Sequence, residues 1–172
     1  MFILDHVKPE AATGKAAQAY SIFPKQVPVP EPLVLMSASP DLALAQSEII
    51  RHYMNHETLD TGLLSMIRFV VANEVNYGFC INFNTQMLKL AGGMSDEDIA
   101  ALKEDPQNAP LEPNQKELLL FVLKVVKTPE QVNSTDINKL HELGWTDRDI
   151  FDAAYHGASM LGPRALFAAF NK

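Results

Sequence analysis

Between Asp60 and Val75 the chain sets Leu63, Leu64, Met66, Ile67, Phe69, Val70 and Val71 almost without interruption. On a helix these residues cover most of the circumference, so the segment has to be a central buried helix with other elements packed around it. The run is long for a strand and lies among helical neighbours, which decides for helix. Leu118 to Val126 reads the same way. Two such helices need covering partners, and the rest of the chain supplies helical patterns rather than strands.

Those partners are signalled by their ends. Ser39-Pro40 is a capping residue followed by proline at the first helical position, and Leu42, Ala45, Ile49 and Tyr53 recur after it at helical spacing. Gly93-Met94-Ser95-Asp96-Glu97-Asp98-Ile99 is echoed by Gly144-Trp145-Thr146-Asp147-Arg148-Asp149-Ile150. In each, glycine can end one helix and Ser or Thr can cap the next, with a carboxylate three residues on. Asn133 with Asp136 offers a related start. Two copies do not make a solenoid, and the echo reads as ordinary helix boundaries. The last segment, Thr146 to Phe170, is apolar, and Pro163 predicts a kink or break within it.

The first part of the chain is less regular. A short helix is predicted from about Ala11 to Ile22, followed by Pro24, Pro28, Pro30 and Pro32. Proline removes a backbone donor and extends the residue before it, so this stretch should wrap over the surface. The expected organisation is a helix and Pro-rich wrap over residues 1–38, then one helical domain over 39–172. The fold class is all-α, a single-domain helical bundle.

Composition narrows the functional classes. At 172 residues the chain can bury a substantial core without staples. Its net charge is −7, and its 14 Lys and Arg residues are scattered, which disfavours nucleic acid as a partner. No apolar run is long enough to cross a bilayer, and the start, Met1 to His6, lacks the pattern of a signal peptide, so no membrane association is expected. A single cysteine, Cys80, excludes an internal disulfide and a cysteine-based metal site, and fits a reducing, cytoplasmic setting. His52 and His56 share one helix face at i, i+4, but the sequence specifies no third ligand and the residue after His52 is Tyr53. They read as a solvated face, and no metal or other cofactor is expected. Asp152 and His156, also at i, i+4, read as a local polar contact.

The stretch that can carry chemistry runs from Asn73 to Asn84. It ends one apolar helix, turns near Gly78 and opens another that places Cys80 in its first turn and runs to Leu90 before Gly92-Gly93. Apolar helix, polar turn, Cys at a helix start, then Leu-x-x-x-Gly and Ser-Asp-Glu-Asp-Ile: over roughly residues 40 to 170 this order resembles the alkylhydroperoxidase-D-like (carboxymuconolactone decarboxylase) superfamily. Peroxidase members of that superfamily carry Cys-x-x-Cys-x-x-x-His, with a glutamate one buried helix upstream. Cys80 falls at the second cysteine. Tyr77 replaces the first, Asn84 replaces the histidine, and Ser65 falls at the glutamate. Some members have a further histidine where this chain has Phe79.

The resemblance therefore implies Cys80, Tyr77, Asn84 and Ser65 as the site residues, and a homo-oligomer as the assembly. The dithiol mechanism needs a second thiol to resolve the sulfenic acid, and acid-base side chains to move protons. Tyr77 cannot do the first, and Asn84 cannot do the second. Three readings of Cys80 stay open: a packing cysteine, a one-cysteine redox site helped by its helix N-terminus, and a pocket for non-redox, lyase-like chemistry or a small-molecule ligand using Ser65, Tyr77, Asn84 and Glu74.

Overall fold

A computed structural model describes residues 1–90 and 92–172. The α-helices are α1 (Gly14–Tyr20), α2 (Glu31–Met36), α3 (Pro40–Met54), α4 (Thr61–Glu74), α5 (Gly78–Leu90), α6 (Asp96–Glu104), α7 (Pro113–Lys127), α8 (Ser134–Glu142), α9 (Asp147–Ala158) and α10 (Leu161–Phe170). Among the described residues there is no β-strand, only an isolated bridge between Phe2 and Asn171. The fold is all-α, as the helical spacing predicted. The chain divides into two compact units, Glu57–Leu161 and Met1–His56 with Gly162–Lys172.

The unit Glu57–Leu161 is built on α4. Asp60 caps it by accepting from the Leu63 amide at 2.9 Å, and Leu63, Ile67, Val71 and Ala72 are wholly buried within it. Helices α5, α7 and α9 all pack against α4, and α7 packs against α9 as well. The remaining helix starts follow the sequence reading: Ser95 with Asp98, Asn133 with Asp136 and Thr146 with Asp149 each form a reciprocal capping box. Asp149 is buried, and besides closing its box it accepts a hydrogen bond from the Thr58 hydroxyl.

Helix α9 approaches its neighbours closely because Gly157 has no side chain. A Cβ there would lie 2.4 Å from Cγ1 of Val122 on α7 and 3.4 Å from Cγ2 of Val71 on α4. The glycine is thus a packing requirement, placed one residue after His156.

In the other unit α1 and α2 pack on α3. Ala19, Tyr20, Leu33, Val34 and Ala43 form its core, with Phe2 and Phe23 against them. Tyr20 donates its hydroxyl to the Val7 carbonyl at 2.7 Å, which holds the N-terminal stretch to the helices. Four details depart from the sequence reading. Ser39 and Pro40 do start α3, but the Ser39 side chain makes no capping hydrogen bond. The buried stripe of α3 runs through Ala43 and Ser47, while Leu42 is exposed, because the face that packs carries small residues that let α1 come close. The Pro-rich wrap contains a short helix, α2, with Pro32 in its first turn where proline costs no hydrogen bond. The break in the last segment falls at Ser159–Met160, ahead of Pro163, which sits in the first turn of α10.

The Gly157 crossing yields a stability test. Gly157→Ala gains about 0.5–1 kcal/mol of helix propensity, but overpacking against the stiff, buried Val122 costs about 1–3 kcal/mol. Chemical denaturation should show a net loss. Val122→Ala combined with Gly157→Ala should cost less than the two single changes added together. A Gly157→Ala variant more stable than the parent would refute the close crossing.

Candidate functional site

The turn between α4 and α5 places the site. Asn76 adopts a left-handed backbone, φ 52°, and ends α4. Its amide donates to the Asn73 carbonyl at 3.2 Å, and the next amide, of Tyr77, reaches back to the Ala72 carbonyl at 2.8 Å. This is the double closure that usually employs glycine and that asparagine also tolerates. Asn76, not Gly78, makes the turn, and Gly78 is the first residue of α5. Tyr77 then opens α5, its carbonyl accepting from the Ile81 amide at 3.0 Å. Cys80 lies in the first helical turn and is buried.

Arg68 of α4 and Tyr77 meet at the Cys80 sulfur. The Arg68 Nη2 donates toward Sγ at 3.8 Å, and Tyr77 stands close enough to favour the charged form of the sulfur. Burial pushes the Cys80 thiol above its ordinary value, while the Arg68 charge first, and Tyr77 after it, work in the opposite direction without prevailing. The thiol is not lowered overall, as its helix N-terminus alone would have it. The Tyr77 phenol is raised as well, by burial first and then by the sulfur beside it, so it stays protonated.

A third helix reaches the same place. His156 of α9 is buried, and its imidazole donates to the Leu64 carbonyl on α4. Its pKa is lowered to about 3, by burial first and by the Arg68 charge second. Beside Arg68 there is therefore a neutral imidazole, and Arg68 is the cation of the cluster.

Of the residues singled out from the sequence, Cys80 and Tyr77 are together. Asn84 is buried one turn beyond Cys80, with its amide nitrogen donating to the Cys80 carbonyl at 2.8 Å, so it is bonded to the backbone of the cysteine and not to its sulfur. Ser65 lies half-buried on α4, one turn before Arg68, and makes no side-chain hydrogen bond to the cluster. Glu74 is exposed and pairs with Lys127 of α7 at 2.9 Å. Asp152 lies 3.6 Å from Arg148 on the same helix, and His156 takes its place beside Arg68. His52 and His56 stack edge-to-face with ring centroids 5.4 Å apart. Sequence reading missed Arg68 and gave His156 only a local role. The one available signal was a lone arginine inside the apolar run of α4, among neighbours suited to burial.

No protein-family profile matches the chain, and no curated protein sequence does either. Solved structures do match, and they define its class: the chain has the alkylhydroperoxidase AhpD-core fold. One is an alkylhydroperoxidase AhpD core structure, an uncharacterized peroxidase-related protein from Ralstonia eutropha JMP134, with a TM-score of 0.81 at 20% identity over 96% of this chain and 88% of that one. Another is an uncharacterized peroxidase-related protein from Silicibacter sp. TM1040, with a TM-score of 0.78 at 20% identity over 91% of this chain and 82% of that one. The fold implied by the resemblance around Cys80 is thus found.

The lowered His156 value has a consequence for acid stability. The unfolded chain takes up a proton near the ordinary histidine value of 6.5, the folded chain only near 3. The unfolded state therefore binds more protons in between, and the contribution present above 6.5 is lost as pH falls toward 3, at up to about 1.4 kcal/mol per pH unit. The lowered carboxyls of Asp98 and Asp136, held by the Ser95 backbone and by Lys124 respectively, act at the acid end of this range. Denaturant titrations of parent and His156→Gln between about pH 6.5 and 4.5 should show a falling stability for the parent and a flatter line for the variant. Parallel lines would mean that His156 protonates as readily in the fold as in the unfolded chain.

Proposed function

We propose that this chain is an alkylhydroperoxidase-like protein in which one-cysteine peroxide chemistry at Cys80 replaces the dithiol reaction, in the cytoplasm and as a homo-oligomer. The observation that carries the reading is the Arg68 guanidinium, its Nη2 directed at one buried sulfur from 3.8 Å. A cysteine kept for packing needs apolar neighbours, whereas hydrogen-bond donors favour a sulfur that becomes negative. The likeness of the fold to peroxidase-related proteins supports the same reading.

The reaction balances with a hydroperoxide as oxidant and an external thiol as reductant. The Cys80 sulfur attacks the terminal peroxide oxygen, the O–O bond breaks, and the alkoxide leaves as an alcohol with the thiol proton. Cys80 is then a sulfenic acid. An external thiol condenses with it to a mixed disulfide and water, and a second one releases the Cys80 thiol and a small disulfide. Tyr77 cannot resolve the sulfenic acid internally, so turnover depends on the added thiol. Because burial raises the thiol, the reaction should be slow near neutrality and quicken as pH rises toward and past the ordinary thiol value of 9.0.

The test is oxidation of the native protein by hydrogen peroxide, then intact-mass measurement and peptide mapping. Parent protein should gain one oxygen at Cys80 and consume peroxide only with a small thiol present. Cys80→Ser should do neither. If native Cys80 takes up no oxygen while the denatured chain does, it is a packing cysteine, and the non-redox alternative takes over.

A further inference from the structure

The charge at this site does not balance in the reduced state. Arg68 is half-buried on α4, and among the described residues no carboxylate pairs with it. Among the described residues its Nε, which is buried, finds no hydrogen-bond partner, and its one hydrogen bond is the 3.8 Å contact to the Cys80 sulfur. Of the groups that bear on the guanidinium, Cys80 and Tyr77 from the start of α5 and His156 from α9, none is acidic near neutral pH: burial raises the thiol and the phenol, and it keeps the imidazole uncharged. A partly desolvated cation without a counterion is costly, and it stabilises any anion formed against it.

We propose that the anion the cluster is built for is the sulfenate of Cys80, the deprotonated product of the first oxidation, with Arg68 as its counterion and the Tyr77 hydroxyl as a second donor. This rests on one-cysteine oxidation at Cys80 and adds the fate of the oxidised sulfur. Oxidation places an oxygen on the sulfur, and loss of the sulfenic proton to solvent puts a full charge on that oxygen beside the guanidinium. A charge-assisted hydrogen bond to oxygen is shorter and stronger than one to a neutral thiol sulfur. The site is thus more complementary to the product than to the resting thiol, and it holds the oxidised centre in a form that nucleophiles attack poorly. Reduction then requires a thiol that first returns a proton to the sulfenate, which makes the oxidised state long-lived.

Sulfenic acids react with carbon nucleophiles such as dimedone, whereas sulfenates react with electrophiles such as nitrobenzofurazan chloride. Peroxide-treated parent, Arg68→Lys, Arg68→Gln and Arg68→Met would be labelled with each probe across a pH series and read by intact mass, with circular dichroism to confirm folding. The parent should keep the electrophile-reactive form to a pH at least about one unit lower than Arg68→Met, and Arg68→Lys should restore most of that difference. Where Arg68→Met does not fold, Arg68→Gln carries the comparison. If the oxidised parent and the uncharged variants share one labelling profile, Arg68 is not the counterion and the inference falls while one-cysteine oxidation stands. If the parent gains no oxygen at all, both fall.

Discussion

The structure of the Glu57–Leu161 unit depends on the burial of α4. A helix apolar on nearly all sides is stable only when neighbours remove it from water, and α5, α7 and α9 do so. That constraint fixes where the rest must go. The turn at Asn76 brings α5 back along α4, and Gly157 lets α9 settle to a distance that a methyl group would block. Arg68 is the exception on the buried helix, a permanent cation whose stem can lie along apolar surface while its head needs polar company. The company available is the Cys80 sulfur, the Tyr77 hydroxyl and an uncharged His156. The chemistry of the site thus originates in the packing: two of the helices covering α4 bring polar side chains to its one interior charge.

What could be read from the sequence was whatever local rules decide. The capping boxes at Ser95, Asn133 and Thr146 depend on residues three apart, so each was visible as a short motif. The apolar runs of α4 and α7 were visible because an all-round hydrophobic helix has one physical solution. The helical spacing in α3 marks the helix but not its packed face, because that face carries the small residues Ala43 and Ser47. Asn76 escaped notice because Gly78 stood nearby and glycine is the commoner left-handed residue. At the candidate site, the nearness of Cys80 and Tyr77 is legible because they lie three apart in one motif. Arg68 and His156 were not, since they come from other helices and only the tertiary packing brings them to the same place. Asn84, taken from the motif position of a histidine, is instead bonded to the Cys80 carbonyl.

The balance of forces on Cys80 explains how a site can lack a dithiol and keep a polar cluster. In a dithiol centre the attacking sulfur must be a thiolate before it meets peroxide, and the groups around it lower its pKa. Here desolvation outweighs the guanidinium and the hydroxyl, so the resting sulfur stays a thiol. The donors are nevertheless present, and their effect is not lost; it is deferred to whichever state of the sulfur carries charge. A thiolate spreads its charge over a large atom that hydrogen-bonds weakly, and it gains little from a donor at 3.8 Å. An oxygen carrying the same charge is smaller and accepts stronger hydrogen bonds, so identical donors stabilise it more. Burial penalises both anions, and hydrogen bonds to oxygen work against that penalty more strongly than those to sulfur. The same Arg68 and Tyr77 that fail to make Cys80 a ready nucleophile are therefore well placed to act on what it becomes after oxidation, and that difference between the two anions is what separates this cluster from a dithiol centre with one thiol removed.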